Sequence, residues 1–192
     1  MDETEGNTPL DEDEAVGLIP THLTTIGQLN SWEQANITEA LGWLANRRSV
    51  APVLSVDFLM ELHKKMFGST WNWAGRFRTS AKNIGVDASR IPEDLANLLA
   101  DTQYGLDNKA FSIDEVAARF HHRLVSIHPF PNGNGRHARL VTDELLESVG
   151  EARFSWGSGN LDQIGDARSR HLSALKEADK GELSGLLRFV RS

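Results

Sequence analysis

The chain has 192 residues, 40 % hydrophobic content, no cysteine and a formal charge of −7, so it is long enough for one domain with a substantial core. Lacking cysteine, it can form no disulfide, thiolate metal site or thiol nucleophile. The acidic balance argues against nonspecific nucleic-acid binding, which needs clustered Lys and Arg, and no direct nucleic-acid contact is expected.

Asp2, Glu3, Glu5, Asp11, Glu12, Asp13 and Glu14 fall in a start without Lys or Arg, which reads as a solvated tail. An acidic tail and linker is expected over 1–28 and a single domain over 29–192. The start has no basic n-region and no apolar run, and no stretch is long and uncharged enough to span a bilayer. A cytoplasmic protein without membrane contact is therefore expected.

Ser31 and Gln34 form a capping box ahead of Trp32, Ile37, Leu41 and Leu44 at helical spacing. Ser55 caps a second helix carrying Phe58, Leu59, Leu62 and Met66, which stops at Gly68. Trp71 to Ile91, with Phe77, Thr79, Ile84 and Val86 between glycines, reads as an irregular strand or small hairpin. Pro92 opens a third helix with Leu95, Leu98 and Leu99 on one face. Ser112 and Glu115 open a fourth, whose stripe runs from Ile113 through Phe120 to Ile127. Ala138, Val141, Leu145 and Val149 make a fifth, ending at Gly150. Leu172 and Leu175, then Leu183, Leu186 and Val190, supply two more. The fold class is all-α, a bundle of about six to eight helices with one short extended excursion.

Between the fourth and fifth helices runs His128-Pro129-Phe130-Pro131-Asn132-Gly133-Asn134-Gly135-Arg136-His137-Ala138-Arg139. Asn-Gly-Asn-Gly alone marks a turn. Here Gly133 and Gly135 stand where a helix begins, so backbone N–H groups can approach an anion at a positive dipole end. Arg136 and Arg139 share a face of the first turn and add two guanidinium forks. His128, directly before this cradle, has the side chain best suited to proton transfer near neutral pH. A polyphosphate cradle beside a base points to phosphoryl or nucleotidyl transfer.

This stretch resembles the Fic signature His-x-Phe-x-(Asp/Glu)-Gly-Asn-Gly-Arg-x-x-Arg, matched at His128, Phe130, Gly133, Asn134, Gly135, Arg136 and Arg139 with the commonly accompanying Pro129. Trp73-Ala74-Gly75-Arg76-Phe77-Arg78 is similar to the Fic segment before its β-hairpin flap, and Ala174-Leu175, Ala178-Asp179 and Leu186-Leu187 to its C-terminal helices. The likeness runs from about Ser31 to the end, and more narrowly resembles the subgroup called mobile mystery protein B.

The resemblance implies a Fic fold with a short β-hairpin flap and a protein adenylyltransferase. His128 would take the proton from a Ser, Thr or Tyr hydroxyl of a target protein, which attacks the α-phosphate of ATP. Phe130 would be a buried anchor. Gly133, Asn134 and Gly135 would wrap the α- and β-phosphates, and Arg136 and Arg139 would hold the outer ones. A flap at Lys82, Asn83, Ile84, Gly85 and Val86 would align the target by strand pairing. Asn132 stands where the family places a carboxylate for Mg²⁺, so a metal held there would be weakly bound.

The family also implies an inhibitory glutamate, in the pattern Ser/Thr-x-x-x-Glu-Gly/Asn, that pairs with the second motif arginine, Arg139 here. Thr8/Glu12, Ser89/Glu93 and Ser173/Glu177 have the spacing but lack the final residue, which leaves Glu33 as a looser candidate. The plainer reading of Glu33 is a first-turn acid favoured by the helix dipole. Alternatives within the family are a Doc-like kinase, other nucleotidyl transfer, or a weakly active nucleotide-binding component of a mobile-element or toxin–antitoxin pair with a regulatory partner. Doc-like motifs usually carry Lys where Gly135 stands. His121, His122 and His128 form no His-Glu-x-x-His pattern, and His137 is expected at the surface, turned away from the two arginines.

Overall fold

The computed structural model describes residues 15–47, 52–159, 161 and 165–192. The acidic stretch 1–14, including Thr8 and Glu12, lies outside the described residues. Seven α-helices are described: α1 (Ile26–Ala45), α2 (Val56–Phe67), α3 (Ile91–Asp107), α4 (Ile113–Ile127), α5 (Asn134–Ser148), α6 (Asp166–Ala178) and α7 (Ser184–Val190).

Local chemistry sets most of the ends. The Ser55 and Ser112 hydroxyls accept from the N–H groups of Phe58 and Glu115 and start α2 and α4. Pro92 lies in the first turn of α3. For α1 the expected start is corrected. Thr25 and Gln28 form the capping box, and Ser31 is inside the helix with its hydroxyl donating to the Gly27 carbonyl. The 28/29 boundary therefore falls within α1.

α4 and α5 are central because each faces two cores. Phe120 and Leu124 of α4, with Ala138, Val141 and Leu145 of α5, join Phe58, Leu62, Met66, Leu95 and Leu98 in the larger core. Ala117, Ala118 and Leu146 face the smaller one, closed by Phe154, Trp156, Leu175, Leu186 and Phe189. Each fully buried Phe or Leu contributes about 1.5–3 kcal/mol. Two cores thus grip both sides of the junction between α4 and α5.

The hairpin expected after Trp71 is corrected. Residues 77–87 contain no strand, and the one β-bridge among the described residues joins Leu18 to Trp71. The reason is local. The carbonyls of Ser80 and Val86 accept from the Arg78 guanidinium, and the Val86 N–H donates to Ile127, so these groups are spent outside a ladder. No described helix is long and apolar enough to cross a membrane.

Candidate active site

The site is the six-residue passage, His128 to Gly133, between the end of α4 and the start of α5. α4 ends when His128 takes the left-handed conformation, φ 54° and ψ 61°. That conformation is costly for a residue with a Cβ and turns the chain sharply. Gly133 makes the second turn, at φ 76°, and caps α5 without a side-chain bond. A Cβ there would lie 2.6 Å from the Phe67 ring, so only glycine fits. The first-turn amides of α5 are consequently left without a side-chain cap, the arrangement that receives phosphate oxygens.

The loop between these turns is anchored from beneath. Phe130 is fully buried and stacks on His63 with ring centroids 3.8 Å apart. The Asn134 side chain is buried, and its amide bonds both backbone groups of Phe130, at 2.9 and 2.8 Å. Asn134 can thus meet a ligand only through its main chain. His63 on α2 accepts from the Gly75 N–H at Nδ1, so Nε2 carries the proton and donates to the Asn132 carbonyl, each at 3.0 Å.

His128 is buried, 5 % exposed, at the edge of this loop. Desolvation pushes its pKa down to about 4, a backbone hydrogen bond from the ring to Val125 works the other way, and the charges of Arg78 and Lys82 lower it further. At neutral pH it is an uncharged imidazole able to accept a proton.

Arg136 lies in the first turn of α5 and Arg139 in the second. Arg139 reaches back along the helix, its Nη1 3.9 Å from where a Cβ on Gly135 would stand. Its charge is also felt by His121, His171 and Asp143. Arg136 lies over the Phe67 ring, 4.9 Å from the centroid. Its Nη1 is 2.8 Å from Oε2 of Glu33. Glu33 is buried, and its other oxygen accepts from Trp71 Nε1 at 2.7 Å. Glu33 thus forms an ion pair with the first motif arginine, Arg136.

Asn132 does not fit a resident metal site. Its side-chain oxygen is neutral and accepts from the Gly133 N–H at 2.6 Å. Among the described residues no group of three or more His, Asp or Glu could hold an ion. His137 is also corrected, from surface to core: it is 1 % exposed and its Nε2 donates to the Leu59 carbonyl at 2.9 Å. Facing away from the arginines means facing α2. His121 is buried against His171, with Nε2 atoms 3.1 Å apart, and His122 meets Asp179 at 2.8 Å.

The expected flap residues Lys82, Asn83, Ile84, Gly85 and Val86 lie beside His128. Gly85 is so close that a Cβ on it would be 2.8 Å from His128 Cβ, and Ile84 is 40 % exposed. Spacing and motif did not point to Arg78 or His63. Arg78 lay in the segment before the flap, and His63 shares the buried face of α2 with Leu59 and Phe67.

The Fic/DOC family model matches residues 53–146. A protein adenylyltransferase Fic from Nematostella vectensis is 30 % identical over 141 residues, which is 71 % of this chain and 31 % of that protein. Protein adenylyltransferase fic-1 from Caenorhabditis elegans is 30 % identical over the same share of this chain and 26 % of its own. The chain thus spans about a third or less of the length of these curated relatives. The solved structure of Fic-1 from C. elegans superposes with a TM-score of 0.66 at 26 % identity, covering 93 % of this chain and 51 % of that one. The N-terminal Fic domain of a cell filamentation protein from Bartonella quintana gives 0.73 at 18 % identity, covering 93 % and 91 %, and so shares the fold. With its signature loop folded between α4 and α5 as described, the chain contains a Fic/DOC family domain.

Proposed function

We propose that this domain is a protein adenylyltransferase, moving AMP from ATP to a Ser, Thr or Tyr hydroxyl of a target protein. The observation that carries the reading is the neutral, buried His128 set at the mouth of a glycine-turned helix start with Arg136 and Arg139 in its first two turns. The curated relatives' activity supports the same reading. The uncapped amides of α5 hold the phosphate oxygens, with Arg136 and Arg139 on the outer ones. His128 removes the hydroxyl proton as the oxygen bonds to the α-phosphorus. The bond from that phosphorus to the β-bridging oxygen breaks, and pyrophosphate leaves. The segment 82–86 receives the target chain beside His128.

Magnesium enters this reading only as a companion of the triphosphate, since Asn132 offers it little. A reducing cytoplasm, where ATP is abundant, suits the reaction. The narrower kinship with mobile mystery protein B, and a regulatory partner, belong to the same proposal. Gly135 at the helix start favours nucleotidyl over Doc-like phosphoryl transfer.

Glu33 favours one elaboration. A carboxylate paired with Arg136 occupies a fork that the phosphates need and adds negative charge beside them, so the resting protein is restrained. Purified chain incubated with α-labelled and γ-labelled ATP tests the reading. The α-label is retained and His128→Ala abolishes it; retention of the γ-label, or an α-label that survives the substitution, overturns it.

A further inference from the structure

We propose that Arg78 is a positioning residue that locks His128 and the segment 79–86 into one rigid unit, so that the base and the incoming hydroxyl are held in register. This rests on the role given to His128 above.

Arg78 is 3 % exposed and its guanidinium reaches across the site. Nε donates to the His128 carbonyl at 2.6 Å, Nη1 to Ser80 at 2.8 Å, and Nη2 to Val86 at 2.5 Å and Ile127 at 3.4 Å. Its own N–H donates to Pro129 at 2.9 Å, and the Val86 N–H to Ile127 at 3.3 Å. One side chain therefore ties both ends of the segment to both residues at the end of α4.

The physics favours this fork at this place. The last carbonyls of a helix lack partners within it and attract a cation. The carbonyls meet the guanidinium from several directions, which a planar fork can satisfy and the single ammonium of lysine cannot. His128 is held at positive φ, a conformation that persists only when its surroundings enforce it. Arg78 and Pro129 supply that enforcement on either side of the His128 carbonyl. Gly85, at φ 117°, completes the fit. A Cβ there would lie 2.6 Å from Arg78 Nη2 and 2.8 Å from His128 Cβ. The guanidinium charge also acts on the imidazole, alongside Lys82, in the direction that keeps it neutral.

The test uses the full chain with Glu33→Gly and compares Arg78→Lys, Arg78→Gln and Gly85→Ala. ATP affinity is measured by calorimetry, self-labelling by α-labelled ATP, and the His128 titration and the amide exchange of 79–86 by NMR. Arg78→Lys and Gly85→Ala are expected to keep ATP affinity within about twofold while labelling falls by about tenfold or more, and exchange in 79–86 speeds up. Arg78→Gln raises the His128 pKa toward the ordinary histidine value. Parent labelling and exchange in both Arg78→Lys and Gly85→Ala would overturn the inference. So would a loss of labelling matched by an equal loss of ATP binding and melting temperature. The NMR readouts do not depend on turnover. Label surviving His128→Ala refutes the enzymatic reading, whereas unchanged exchange and titration refute the role of Arg78.

Discussion

At His128, burial and the nearby guanidinium of Arg78 act together to keep the imidazole uncharged well below neutral pH. The rate of labelling should accordingly rise as pH increases through about 4 and stay level up to neutrality, with no inflection near 6.5. Replacing His128 by alanine should lower it by about 10²–10⁴-fold, so that no label accumulates over the time in which the parent chain is labelled. Glu33 pairs with Arg136 while Trp71 fixes its second oxygen, the contact that the proposed restraint rests on. Glu33→Gln removes the charge and keeps the shape. It should speed self-labelling by about tenfold, equivalent to ~1.4 kcal/mol of barrier, and an unchanged rate would show that the pair is only structural. Asn132→Asp restores a charged oxygen ligand and should lower the Mg²⁺ concentration for half-maximal labelling, read in a metal titration.

At the level of elements, the turn into α5 depends on Gly133. Alanine there would combine positive φ with a clash against Phe67, and a stability loss of about 1–3 kcal/mol is expected in thermal melts. The same elements show what a sequence can and cannot reveal. Ser55 and Ser112 cap the helices they were expected to cap, because a hydroxyl three residues before an orphan N–H is a local arrangement. The start of α1 was misplaced because two stretches, Thr25 to Gln28 and Ser31 to Gln34, satisfy one capping pattern, and only the fold chooses between them. The flap looked like a hairpin from its alternating residues. Its carbonyls went instead to Arg78, a contact made through a side chain and invisible to periodicity. His137 was read as exposed because one face of α5 was assigned to ligand and the rest to solvent, whereas α2 covers it. The pairing of Glu33 with Arg136 joins α1 to α5, and no local pattern specifies which arginine is met.

Across the described residues, five buried histidines shape the response to acid, His128 among them. Burial lowers His63 and His121 well below the ordinary value, His137 to about 4 and His171 to about 3. The unfolded chain binds protons at these residues from about pH 6.5 downward while the folded chain does not. Their stabilisation is therefore present above pH 6.5 and lost as pH falls toward 3–4. Asp143, raised to about 6 by burial despite bonds from Trp156 and Phe154, acts with the opposite sign and favours the fold below that value. Burial raises the Glu144 carboxyl in the same direction as Asp143, but the five histidines outweigh these two carboxylates and predict a melting temperature that falls steadily between pH 6.5 and 4, checked by calorimetry across that range.

The central claim is that the junction between α4 and α5 transfers AMP through His128. Intact mass spectrometry of the Glu33→Gly chain after incubation with ATP and Mg²⁺ tests it directly. The account predicts a mass gain of one AMP, located on a hydroxyl side chain and absent when His128 is alanine. A gain of one phosphate, or an AMP gain that persists without His128, would contradict it.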